Sequence, residues 1–238
     1  MKKKEISLEE LLEAGCHFGH QVKRWHPKMK PYIWTVKNGV HVFDLVKTKK
    51  ELEKAAAFVK AITTKTGKII FVGTKRQASG IIEKEAKRCG VFYVNHRWLG
   101  GTITNWQEIK KRIDKLVDMK QKKKEGEYDK YTKKENVLID REIARLGRFF
   151  GGLVGLEELP EAIFIVDCKK EEVVVKEAKT KGVKIIGIVD TNTDPSDIDY
   201  VIPSNDDAVG SIKLIVSKIA EAVIEAKSVK RKAKNDKD

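Results

Sequence analysis

Residues 162–190 read AIFIVDCKKEEVVVKEAKTKGVKIIGIVD, and this stretch decides the fold class. AIFIVD (162–167) and KIIGIVD (184–190) are continuous apolar, β-branched runs, with none of the polar alternation of a strand that has one wet face. Runs of this kind suit parallel strands buried on both faces, and the segment between them is long enough for a crossover helix.

The same pattern recurs outward from it, as HVFDL (41–45), KIIFVG (68–73), VFYV (91–94) and YVIP (200–203). Helices are expected between the runs. Their starts are marked by Ser or Thr with Glu or Gln three residues on: Ser7 with Glu10, Thr48 with Glu51, Thr104 with Gln107 and Thr132 with Glu135. Alternating strand and helix predicts an α/β fold with a doubly wound parallel sheet. Residues 104–150 break the alternation. They contain two helical stretches and no strand, with Trp106, Ile109, Ile113, Leu116 and Met119 on one stripe and Val137 or Leu138, Ile139, Ile143 and Leu146 on the other. The expected organisation is a discontinuous α/β domain over 1–103 and 151–226, an α-helical coiled-coil hairpin inserted at 104–150, and a basic, disordered tail at 227–238.

Charge is distributed unevenly around a net of +14. Residues 1–150 hold 35 Lys and Arg against 18 Asp and Glu, residues 151–226 hold 8 against 15, and the last twelve hold 6 against 2. Such polarity fits a protein with one face turned to a polyanion. Cys16, Cys89 and Cys168 are odd in number and form no CxxC pair, which argues for a reducing compartment, and no apolar run is long enough for a membrane span. A cytosolic protein is expected.

The motifs favour binding over chemistry. FVGTKRQASG (71–80) follows a strand but is not a phosphate-binding GxxxxGK[ST] loop, so Lys75 and Arg76 are expected to contact RNA phosphates. DTNTDP (190–195) begins like a calcium loop, then has Pro195 where glycine is needed and Val201 where the closing Glu belongs; it is read as a turn in which Asp190, Asn192 and Asp194 accept backbone hydrogen bonds. SNDDA (204–208) is read as a helix cap with acids in the first turn. NHRWLGGTITNW (95–106) offers His96, Arg97, Trp98 and Asn105 on a glycine-containing loop, and His96 has no nucleophile motif beside it. In CHFGHQVKRWHPKMKPYIW (16–34), Lys23, Arg24, Lys28 and Lys30 are interleaved with Trp25 and other rings on a loop that Pro27 and Pro31 are expected to hold extended. Cys16, His17 and His20 lack the fourth ligand of a structural zinc site, and the looser alternative joins His17 or His20 to Asp190 and Asp206.

In order along the chain, FGHQ (18–21), WHPKMKPYI (25–33), GVHVFDLVKT (39–48), IIFVGTKR (69–76), VNHRWLGGTITNW (94–106), YTKKE (131–135), IVDTNTDP (188–195) and VIPSNDDA (201–208) resemble the bacterial S-two family of small-subunit ribosomal proteins. The resemblance implies a flavodoxin- or Rossmann-like sheet with an inserted coiled-coil hairpin. It also implies a structural constituent of the 30S subunit without catalysis, cofactor or small-molecule substrate. The implied partners are 16S ribosomal RNA, neighbouring small-subunit proteins and the OB-fold protein that captures messenger RNA. An enzyme on the same sheet would gather a phosphate loop and acid/base groups at the strand ends, and the missing GxxxxGK[ST] pattern favours the ribosomal reading.

Overall fold

Strand β6 (Ala162–Val166) has all five residues buried. Ala162, Phe164 and Val166 enter one core, and Ile163 and Ile165 enter the other, so an unbroken apolar run serves two faces at a period of two. In this computed structural model, which describes residues 6–65 and 67–235, β6 is the centre of a five-stranded parallel sheet. The other strands are β4 (Ile69–Val72), β5 (Phe92–Val94), β7 (Lys184–Val189) and β8 (Tyr200–Pro203), in the spatial order β5-β4-β6-β7-β8. The strand order reverses between β4 and β6, the switch point at which doubly wound sheets open a crevice beyond their carboxyl ends.

One face of the sheet is covered by α1 (Leu8–Glu13), α2 (Leu45–Thr64), α3 (Arg76–Cys89) and α7 (Val209–Asn235). The other is covered by α4 (Trp106–Lys124), α5 (Lys133–Phe150) and α6 (Glu172–Lys181). Helices α4 and α5 pack on each other, with ion pairs from Lys115 to Glu142 at 3.5 Å and from Lys123 to Asp140. Ile109, Ile113 and Leu116 of α4 and Leu146 and Phe150 of α5 reach the core, whereas Val137 and Leu138, expected on the α5 stripe, are exposed.

Several sequence expectations are corrected. HVFDL is not a member of the parallel sheet. Val40–Phe43 (β3) lies between β1 (Phe18–Gln21) and β2 (Ile33–Lys37) in a separate antiparallel sheet. Asn38 and Gly39 join β2 to β3 with φ of 52° and 74°, the positive values a tight hairpin turn needs. Of the four helix starts, Ser7/Glu10 and Thr132/Glu135 are capping boxes. Asp44 caps α2 by accepting from Val46 and Lys47 N–H, which leaves Thr48 inside the helix donating to the Pro203 carbonyl at 2.6 Å. Thr104 donates to Glu177 instead of capping α4. Pro27–Tyr32 is a 3-10 helix, not an extended loop. Residues from Lys227 continue α7 through Asn235, and the last three lie outside the described residues. Lys227 Nζ donates to the carbonyls of Cys89 and Gly90 at 2.8 and 2.6 Å, capping the α3 C-terminus with a cation where the helix dipole favours one.

Packing at the sheet centre leaves no slack at Gly187 of β7. A Cβ there would overlap Cys168 Sγ and stand 3.4 Å from Ile198 Cγ2. Gly187→Ala is therefore expected to destabilise the protein by roughly 2 kcal/mol through overpacking. Adding Cys168→Ala should return most of that stability, read as a non-additive double-mutant cycle in denaturant titration. Strict additivity would show that the two atoms do not compete for one space.

Candidate functional site

The crevice at the switch point is occupied by the protein's own charges. Lys75 follows β4, and its Nζ lies 3.1 Å from Asp167 after β6, 2.8 Å from Asp206 and 2.6 Å from Asp207, both after β8. Burial opposes the ammonium, but the hydrogen bonds to Asp206 and Asp207 outweigh it and raise the Lys75 pKa. Asp206 is 1% exposed, and burial together with the charges of Asp167 and Asp190 pushes its pKa up to about 7. His20 brings the antiparallel sheet into the same cluster. Its Nδ1 is 2.9 Å from Asp190 Oδ1 and its Nε2 is 3.6 Å from Asp207, and the close Asp190 carboxylate raises its pKa against the opposing effect of burial. At the crevice rim, Glu171 accepts from the N–H and hydroxyl of Thr74, which closes the β4–α3 turn.

Two expectations change here. Lys75 is not a free phosphate ligand, because three carboxylates hold its ammonium inside the crevice. Asp206 is not an acid in the first turn of a helix. Asn205 caps that segment by accepting from Asp207 and Ala208 N–H, while Asp206 turns inward to Lys75. In the 190–195 turn, Asp190 and Asp194 do accept backbone N–H groups, from Thr191 and Ser196; Asn192 accepts the hydroxyl of Thr193. His17 packs against Phe18 with ring centroids 3.9 Å apart, on the wall of an apolar cavity. Among the described residues no three His, Cys, Asp or Glu side chains stand together in an arrangement that could hold a metal ion.

The remaining expected contacts divide by their intramolecular bonds. Lys23 and Arg24 are exposed on a 3-10 turn (Val22–Arg24), and Lys30 is exposed on the next. Arg76 is exposed at the first residue of α3, and His96, Arg97 and Asn105 are exposed in the loop after β5. Lys23, Arg24, Lys30, Arg76 and Arg97 have no charged or hydrogen-bonding side-chain partner among the described residues. Lys28, by contrast, donates to Asp194 at 2.9 Å and Ser196 at 2.7 Å. Trp25 is half-buried against His41, 5.1 Å between ring centroids. Trp98 is 7% exposed with its indole N–H donated to Glu177, so it is a core residue and offers no face for stacking. The tryptophan that does stand in solvent is Trp34, 74% exposed on β2.

A family model described as ribosomal protein S2 matches residues 11–226. The chain belongs to that family. As a member of the ribosomal protein S2 family it is a structural constituent of the ribosome, a ribonucleoprotein component acting in translation, and the family is not an enzyme class. The match takes in both sheets and the helices α4 and α5, and it ends within α7, just before Lys227. Among the described residues no helix is long and apolar enough to cross a membrane.

Removing the cation should expose the cost of the crevice. Lys75→Met leaves Asp167, Asp206 and Asp207 facing one another and is expected to destabilise the protein by about 3 kcal/mol near neutral pH. Asp206, with its folded pKa raised, binds its proton more tightly in the folded state. Its stabilising contribution is therefore greatest below the unfolded carboxylate pKa and is lost as pH rises toward about 7. The deficit of the variant should accordingly be smaller at about pH 5.5 than at about pH 8 in thermal melts. An equal deficit at both would mean that the carboxylates are not coupled through Lys75.

Proposed function

We propose that this protein is a structural constituent of the small ribosomal subunit, holding 16S ribosomal RNA through the cations its fold leaves unpaired. The observation that carries this reading is the division of the basic residues: Lys28 and Lys75 are consumed by carboxylates, whereas Lys23, Arg24, Lys30, Arg76 and Arg97 reach the surface without such partners, within a family of ribosomal proteins. Surface Arg and Lys with no internal partner give up no salt bridge on docking and are suited to phosphate contacts that fix orientation. His96 and Asn105 flank Arg97 in the loop and add hydrogen-bonding groups to the same contact. Helices α4 and α5, taken as an inserted hairpin, extend the basic surface.

A second surface is apolar and suits a protein neighbour. Leu12, Phe18, Trp34 and Val46 are exposed around a cavity of about 820 Å³ between α1, the antiparallel sheet and the start of α2. Exposed aromatics gathered at one cavity mark an interaction site. We assign this face to the OB-fold protein that captures messenger RNA, which the ribosomal protein would help to seat on a cytoplasmic 30S particle.

RNA binding should fall steeply between roughly 50 and 200 mM salt. Arg24→Ala with Lys30→Ala should lower occupancy on 30S particles and reduce the slope of log K against log salt by about 2, one for each phosphate that is no longer neutralised. Lys28→Ala should change that slope little, because its ammonium is already held by Asp194. A slope unchanged in the double variant would remove Arg24 and Lys30 from the RNA interface.

A further inference from the structure

The loop between β5 and α4 is held by a single buried carboxylate. Glu177, 7% exposed on α6, accepts five hydrogen bonds from it. Oε1 takes Trp98 Nε1 at 3.1 Å and Gly101 N–H at 2.8 Å, and Oε2 takes the N–H groups of Ile103 and Thr104 and the Thr104 hydroxyl, each at 3.0 Å. No cation is paired with Glu177 among the described residues. A carboxylate in so dry a position is costly unless its oxygens are saturated by donors, and these five donors saturate it. Burial alone would raise its pKa, but the hydrogen bonds from Thr104, Ile103, Gly101 and Trp98 outweigh burial and lower it.

Seen from the loop, the dependence is as strong. Residues 98–104 contain Gly100 and Gly101, the latter at φ +91°, and the turn bonds within the loop are those of the Thr102 N–H and hydroxyl to the Leu99 carbonyl and of Asn105 N–H to the Gly101 carbonyl. Without the carboxylate, three backbone N–H groups and the Trp98 indole N–H would lack partners, and a buried donor left unpaired is strongly unfavourable. The exposed side chains of His96, Arg97 and Asn105 bracket this anchored segment.

We propose that Glu177 is the positioning residue of the RNA-contacting loop, with its carboxylate fixing residues 98–104 so that His96, Arg97 and Asn105 form one preformed contact. The proposal rests on the reading of that loop as a contact to ribosomal RNA. Preorganisation of this kind raises affinity by reducing the ordering that docking would otherwise require. Glu177 itself stays buried and touches no RNA.

The test uses the full chain, a 16S ribosomal RNA transcript and 30S particles depleted of this protein. Glu177→Gln keeps the volume but turns an NH2 group toward donors whichever way the amide is flipped, so part of the set must break. The Trp98 indole N–H resonance should move, the amides of Gly101, Ile103 and Thr104 should exchange faster, and the other three indole resonances and the far-ultraviolet circular dichroism should stay in place. RNA affinity should fall about tenfold, to the level of Arg97→Ala. The Glu177→Gln/Arg97→Ala pair should fall by less than the product of the two single effects, since both act through one contact. Thr104→Val removes one donor and leaves the core intact, so it should give a smaller change in the same direction and keeps the test open if the Gln variant fails to fold.

Freed amides with wild-type RNA affinity, alongside weakened binding in Arg97→Ala, would overturn the positioning role and leave the loop as a contact. Unchanged affinity in Arg97→Ala and in a His96→Ala/Asn105→Ala pair would reject the loop as a contact and the positioning role with it. Amides still protected in Glu177→Gln would show that another group is the anchor.

Discussion

Lys75 is the point on which the two sheets and the carboxyl-end loops converge. Its ammonium joins the loop after β4 to those after β6 and β8, and the shared Asp207 links it to His20 of the antiparallel sheet. In a doubly wound fold the crevice at the switch point is the usual place for a ligand. Here an internal cation occupies it, and the loops around it are arranged to bind that cation. Asp167 even adopts a positive φ of 64°, an uncommon conformation for a residue other than glycine, while its side chain reaches Lys75 and accepts from Lys170 N–H. A crevice closed in this way suits a protein whose partners bind its outer surface.

Two inward-facing charges are accommodated in opposite manners. Lys75 is surrounded by formal charge of the other sign, which makes the site dependent on protonation. Glu177 is surrounded by neutral N–H and O–H donors, which makes its site dependent on geometry. Charge opposite charge tolerates small shifts of the loops, because Coulomb attraction falls slowly with distance. Hydrogen bonds from several points along one loop do not, because they weaken steeply when bent. The first arrangement suits a structural brace and the second suits a loop that must present its side chains in one form.

The strands of the central sheet were legible because burial on both faces leaves a local mark, an unbroken apolar run, at β4, β6 and β7 alike. Strands β1 and β2 carry no such mark, since most of their residues are open to solvent in whole or in part. The usable signal was Asn38-Gly39, a dipeptide suited to positive φ between two short runs. Thr48 with Glu51 fits a capping box, yet Asp44 stands one turn earlier and caps the helix first. The inward placement of Lys75 and Trp98 was not legible, for a shared reason. Each has partners far along the chain, Asp167, Asp206 and Asp207 for one and Glu177 for the other, and no spacing rule reaches across a crossover. Pro27 and Pro31 fix φ, which a 3-10 turn satisfies as well as an extended segment does.

The long-range pairs also change what the uneven charge along the chain means. Several carboxylates of the acidic second half pair with groups of the first half. Asp167, Asp190, Asp194, Asp206 and Asp207 neutralise Lys75, His20 and Lys28, all from the basic first half. Part of the asymmetry is thus internal complementarity, which draws the amino-terminal sheet onto the ends of the later strands. Among the cations of the first half that those carboxylates do not reach are Lys23, Arg24 and Lys30 of the 22–30 turns, Arg76 at the start of α3 and Arg97 in the loop after β5. Folding sorts the basic residues of these loops into a share paired with carboxylates and a share left exposed without such partners, and the choice is made by where second-half carboxylates reach.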